Sequence, residues 1–221
     1  MIKKILLVLT VLFSPLMSAT GMAENGPLSL KSITGGEFYA HGIYGVNPLA
    51  DGESYSQLVD GKRIVVSSFK TGEQTGVLFD ADNTKGKVKV SRIDGYIMSP
   101  NQKNILLRTQ TQSIYRHSTT AVYYIYNVQN RTLAPLSDGG PQECPLWSPD
   151  GNMVGFVREG NLFLVKLLFD NAEVQITKDG KFNSIINGKA DWVYEEEFVT
   201  NRSFDFNADA TMLAWIRYNE S

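Results

Sequence analysis

Cysteine and histidine are almost absent from this 221-residue chain, which holds one Cys, Cys144, and two His, His41 and His117. A single thiol cannot close an intramolecular disulfide, so the fold has to be held by its core. So few thiol and imidazole donors leave no ligand set for a structural zinc, and neither a metal nor another cofactor is expected. Cys144 lies between Glu143 and Pro145 with no base in view, which reads as a structural thiol rather than a nucleophile. His117 has no visible acid or nucleophile as partner and reads as a hydrogen-bonded structural histidine. Charge of one sign is equally scarce. The formal net charge is -2, and a surface that neutralises phosphates needs a basic patch, so nucleic acid is not expected as a partner. No Gly-x-Ser-x-Gly string occurs to expose a serine on a strained strand-to-helix turn. No Ser/His/Asp triad can be assembled, and no catalytic residue is expected within the chain.

Long apolar runs are also missing, apart from one near the start. Lys3 and Lys4 precede an apolar run from Ile5 to Phe13 that only Thr10 interrupts, and Ser18, Ala19, Gly21 and Ala23 follow. This is the layout of a secretory signal peptide over residues 1–23. The run is too short to span about 30 Å of hydrocarbon, and Pro15 closes it, which argues against an anchor. Removal of Lys3 and Lys4 takes the formal charge of the mature chain to -4. The expectation is an exported protein whose folded part begins at residue 24.

What is present is a repeat. Ser148-Pro149-Asp150-Gly151 is a turn string followed by the strand-like Met153 to Arg158. Pro presets φ, Asp can bond its own backbone, and Gly tolerates positive φ. Asn207-Ala208-Asp209-Ala210 and the residues to Arg217 repeat the pattern. Ser99-Pro100-Asn101-Gln102 is a third copy, and Leu49-Ala50-Asp51-Gly52 a fainter fourth. The copies are spaced by 50, 49 and 59 residues, a period that fits propeller blades rather than the shorter helical repeats. Short runs rich in β-branched and aromatic residues lie between them: Arg63 to Phe69, Val77 to Phe79, Ala121 to Asn127, Leu133 to Leu136, Leu162 to Leu168 and Glu173 to Thr177. Each unit has room for about four strands, the content of one blade. The surplus of the longest interval falls on Asp191 to Phe198, so that segment reads as an insertion between blades, and insertions of this kind gather on one face of a repeat protein.

That segment, Asp191-Trp192-Val193-Tyr194-Glu195-Glu196-Glu197-Phe198, carries the strongest chemical signal. Three adjacent carboxylates must stay hydrated or meet a cation. Trp192, Val193 and Tyr194, which favour burial, would anchor them. Such a segment can hold a ligand's ammonium group, or it can be a solvated acidic face. Tyr115-Arg116-His117-Ser118 before the strand at Ala121 is a second position of interest. Arg stays charged and offers a planar fork of donors, either to a ligand carbonyl or to a carboxylate at a blade rim.

The octapeptide, the setting of Arg116 and the stretch Gly45-Val46-Asn47-Pro48 closely resemble the dipeptidyl peptidase IV family of serine peptidases, in the prolyl oligopeptidase clan, and look nearest to its bacterial members. The resemblance runs from about Leu28 to Ser221. It implies an all-β fold: about three to four four-stranded blades of the family's eight-bladed propeller, with a short acidic helical insertion. It implies that Glu196 and Glu197, aided by Tyr194, bind the free amino terminus of a peptide substrate, while Arg116 reaches a substrate carbonyl and Glu195 is the most tolerant of the three acids. It implies residues 24–221 as a truncated N-terminal propeller whose partner α/β-hydrolase domain, with the catalytic Ser, Asp and His, is absent from the chain. The region would then gate substrate for an exported enzyme, periplasmic or attached to the cell envelope of a bacterium, that releases Xaa-Pro or Xaa-Ala dipeptides. Family members often homodimerise. The competing expectation is an exported, non-catalytic propeller that binds peptides or acts as a scaffold.

Overall fold

The computed structural model of the chain describes residues 28–221 apart from residues 41 and 43. The expected signal peptide and His41 lie outside the described residues. The chain divides into two units, Met1–Ile43 and Tyr44–Ser221. In the first, the described residues form one short helix, α1 (Leu30–Thr34). Its start is fixed by Ser29 and Ser32, each hydroxyl accepting from the other's backbone N–H at 3.0 Å. This reciprocal cap satisfies two N–H groups that the first turn leaves without helical partners.

The second unit is built of antiparallel strands. β1 (Asn47–Pro48), β2 (Ser54–Val59), β3 (Arg63–Ser68) and β4 (Gln74–Asp80) form a four-stranded meander. β5 (Gly95–Met98), β6 (Asn104–Ser113), β7 (Thr119–Asn127) and β8 (Thr132–Pro135) form a second. β9 (Gln142–Trp147), β10 (Met153–Arg158), β11 (Asn161–Lys166) and β12 (Ala172–Gln175) form a third. The blades are not fully separate. Thr120 pairs with Glu143 and Ala121 with Gln142, which joins the second and third meanders into one eight-stranded sheet. The fourth unit is looser. β13 (Ile185–Asn187) pairs with β16 (Arg217–Asn219), and β14 (Phe204–Phe206) with β15 (Leu213–Trp215). The helix α2 (Trp192–Phe198) lies between β13 and β14. It occupies the surplus stretch that the spacing of the repeats marks as an insertion.

All four sequence echoes fold alike, the faint one included. In each, the fourth residue has positive φ: Gly52 at 70°, Gln102 at 56°, Gly151 at 70° and Ala210 at 59°. Each of these donates its N–H to the carbonyl of the first residue, at 3.1, 2.8, 2.8 and 3.0 Å respectively. In each, the Asp or Asn at the third position accepts the N–H two residues on: Asp51 from Glu53, Asn101 from Lys103, Asp150 from Asn152 and Asp209 from Thr211. The third residue's side chain holds the turn, so Asn serves as well as Asp and the fourth need not be Gly.

The core lies between successive sheets, because the middle strands are buried on both faces. Along β6, Ile105 and Leu107 pack with Ile64 and Phe79 of the first meander, while Leu106 points the other way, into a cluster with Val154, Phe156 and Trp147. β10 repeats this: Val154 and Phe156 face the second meander, and Val157 packs with Leu162 and Phe204. Gly155 is required where Phe204 approaches, since a Cβ there would lie 2.7 Å from the Phe204 ring. Two polar ties cross between units at the same places, Asn101 Nδ2 to Asp150 O at 2.8 Å and Trp147 Nε1 to Ile97 O at 3.1 Å.

Candidate functional site

Helix α2 begins at Asp191, whose carboxylate accepts the Tyr194 N–H at 2.8 Å. That is the usual N-cap contact and fixes where the acidic run enters the helix. The helix stops at Val199, which adopts φ 55° and ψ 30°. A β-branched residue in the left-handed region carries a cost of roughly 1–2 kcal/mol. The reversal turns the chain so that Asn201 Nδ2 donates to His117 O at 3.1 Å, in the connection between β6 and β7.

Burial along α2 inverts the expectation from the sequence. Trp192, Val193 and Tyr194, expected as the apolar anchor, are exposed, Trp192 at 54%. Glu195, expected to be the most tolerant acid, is 2% exposed. Its Oε1 accepts the backbone N–H groups of both His117 and Ser118, each at 2.8 Å. Two N–H donors converging on one carboxylate oxygen supply the charge-assisted bonds that let an acid be buried. The helix is therefore fastened to the β6–β7 connection by a carboxylate.

That connection spans residues 114–118 and is closed by Ile114 N donating to Ser118 O at 2.9 Å. Arg116 sits at its centre. The structure brings Arg116 and Glu196 together: the guanidinium lies 3.4 Å from the Glu196 carboxylate, with the arginine side chain 71% exposed and the glutamate 18%. Glu197 is exposed and makes no ion pair among the described residues. Tyr194 is held elsewhere, its ring 5.3 Å from both Phe198 and Tyr218. On a helix of about 100° per residue, Tyr194 and Glu196 stand roughly 200° apart, so the two do not share a face. Glu196 and Glu197 occupy the last turn, which has no basic residue. Carboxylates there oppose the helix dipole by about 0.3–1 kcal/mol each, and a cation arriving at the rim relieves this.

Behind the rim, Lys189 Nζ and the Glu143 carboxylate form a half-buried pair at 2.7 Å. The Cys144 thiol donates to Asn201 O at 3.3 Å. Burial, reinforced by the Glu143 carboxylate, pushes this thiol up to about 12, so it stays protonated at neutral pH as a structural group should. A cavity of about 720 Å³ opens beside the helix and is lined by Tyr115, Trp192, Phe182, Ile186 and Lys189. Glu196, Glu197 and Arg116 do not line it. No cluster of three or more metal-ligating side chains occurs among the described residues.

Comparison with known proteins decides the family. The model of the dipeptidyl peptidase IV (DPP IV) N-terminal region matches residues 99–221, which contain Arg116 and the whole acidic helix. The chain belongs to the dipeptidyl peptidase IV N-terminal family. It is 40% identical over 127 residues to a probable dipeptidyl-aminopeptidase B of Aspergillus fumigatus, covering 56% of this chain and 14% of that protein. It is 32% identical over 234 residues to the Aspergillus terreus counterpart, covering 92% of this chain and 24% of that protein. The crystal structure of Porphyromonas gingivalis dipeptidyl peptidase 4 superimposes with a TM-score of 0.80 at 40% identity, over 89% of this chain and 28% of that one. The matched parts thus cover between 14% and 28% of the length of these relatives. The all-β, open-sheet architecture corresponds to part of the propeller region of the dipeptidyl peptidase 4 fold.

Sequence reasoning missed Glu195 and Asn201 as fasteners of the Arg116 loop. Three identical residues in a row give no compositional clue to which one turns inward. Helical phase was the one signal available: Glu195 shares a face with Asp191 and Val199, the two residues that start and stop the helix.

Proposed function

We propose that this region is the amino-terminus-binding part of an exported serine dipeptidyl peptidase, with cleavage performed by an α/β-hydrolase domain of the same protein. The observation that carries the proposal is the meeting of Arg116 and Glu196 on one rim, with Glu197 open beside them. Glu196 and Glu197 accept hydrogen bonds from the substrate ammonium. A long Arg–carboxylate pair whose guanidinium is mostly in solvent is worth only about 0–1 kcal/mol, so an incoming ammonium joins Glu196 at little cost. Arg116, freed in part and mostly exposed, donates its planar fork to a backbone carbonyl of the bound peptide. Fixing the amino terminus at a set distance from the nucleophile determines how many residues are released, and a dipeptide follows. Holding a substrate in a reactive pose can account for roughly 7–11 kcal/mol of a barrier in favourable cases, which is why a part without catalytic groups can govern rate.

The test uses the full-length protein that carries this region. Peptides with Pro or Ala second and a free amino terminus should yield dipeptides, and the same peptides with an acetylated amino terminus should not. Equal cleavage of both forms would remove the amine-binding role. Tight binding of free peptides without any cleavage would favour the non-catalytic binding protein.

A further inference from the structure

Glu195 is chemically identical to its two neighbours, yet it is the acid that never faces solvent. One of its oxygens takes two N–H groups from consecutive residues, His117 and Ser118, immediately after Arg116. The carbonyl of the same His117 is taken by Asn201, three residues past the end of α2. The backbone of His117 is thus held at its N–H by the first acid of the run and at its C=O by a residue just beyond the helix. Arg116 itself is largely exposed, and its one ion pair among the described residues is a long one at 3.4 Å. A long, exposed arginine has many rotamers, so its placement depends on where its backbone is fixed.

We infer that Glu195 is a positioning residue: it pins the loop bearing Arg116 to helix α2 and so sets the separation between the guanidinium and the carboxylates of Glu196 and Glu197. The inference rests on the amine-binding reading of those two acids and deepens it. The three carboxylates divide their work, one directed inward to set the spacing and two directed outward to meet a cation. The role needs an acceptor oxygen and not a negative charge. Gln, whose carbonyl oxygen can take both N–H groups, preserves it, whereas Ala abolishes it. Misplacement of a substrate-orienting group by an ångström or so can cost about 100-fold in rate.

The experiment is a double-mutant cycle in the full-length protein. It is read as kcat/KM on a dipeptide anilide with a free amino terminus, per active site titrated with a covalent serine reagent. Glu195→Ala should lose on the order of 100-fold. In an Arg116→Ala background the same change should cost little, because the spacing it maintains no longer matters; coupled residues deviate from additivity in this way. Glu195→Gln should keep most of the activity. A purely structural role would instead lower the folded fraction and give the same fold-loss per titrated site in both backgrounds. If Glu195→Ala does not fold, Asn201→Ala replaces it in the cycle, with a smaller loss expected and the same disappearance in the Arg116→Ala background. Additive losses, or a Glu195→Gln variant as damaged as Glu195→Ala, overturn the inference. Glu196→Gln and Glu197→Gln are run alongside. Full activity in both overturns the amine-binding reading and this inference with it. Large losses there with an additive cycle overturn the positioning role alone.

Discussion

Replacing Glu196 or Glu197 by Gln in the full-length protein separates binding from folding in a way the geometry makes quantitative. Gln keeps the size and one acceptor oxygen of each side chain and removes the charge. For stability, the only described ion pair lost is Glu196 with Arg116, at 3.4 Å and with the arginine 71% exposed. Such a pair is worth about 0–1 kcal/mol, so the melting temperature should move by only a few degrees. For binding, the proposed role has each carboxylate meet a substrate ammonium, and the contact between the two charges displaces water from both. Truncating one side of a desolvated charge pair costs about 2–5 kcal/mol, which is roughly 30- to 4000-fold in kcat/KM at 1.4 kcal/mol per decade. The assay is release of a chromogenic amine from a Pro-containing dipeptide with a free amino terminus, followed from pH 6 to 9. The difference between wild type and either Gln variant should narrow above the substrate amine's pKa of about 8, where the cation is lost. Equal small losses at both positions, or losses that persist undiminished at pH 9, would refute the ammonium contact.

Three further outcomes follow from the same structure. Val199→Gly should raise stability by about 0.5–1 kcal/mol, since relief of the left-handed strain exceeds the added entropy of the unfolded chain and the side chain is exposed; an unchanged or lower thermal midpoint would contradict it. Cys144 should resist iodoacetamide at pH 8 in the native protein and react at once in denaturant, because burial and Glu143 hold its thiol near 12; rapid native alkylation would contradict this. Asp150 is held below the usual carboxylate range by the Ser148 hydroxyl and the Asn152 N–H. Its contribution is therefore present above the unfolded value of about 3.9 and disappears as pH falls through the lower folded value. Asp150→Asn keeps the acceptor that Asn101 supplies in the sister turn, so acid unfolding below about pH 4 should be shallower in the variant; identical acid profiles would refute the assignment.

The repeating turns, the strands they introduce and the place of the inserted helix could all be read from the chain, because each depends on residues within a few positions of one another. Asp51, Asn101, Asp150 and Asp209 close their turns through N–H groups two residues away, and no distant partner is needed. The inserted acidic run was legible for the same reason, as a break in a regular spacing. The sequence did not indicate that β7 would also pair with β9, or that the fourth unit would divide into two strand pairs, since both depend on how neighbouring sheets meet. Nor could it say which of the three acids turns inward. The apolar residues before the run were the natural candidates for burial, and the structure buries Glu195 instead. Its partners are N–H groups 77 and 78 residues earlier, in a loop that reaches α2 only once the second and third meanders have packed. Composition determined that carboxylates would gather at this point of the chain. Tertiary structure decided their separate roles, because only there do donors exist that offset the burial of one acid, while Glu196 meets Arg116 at the rim and Glu197 stays in water.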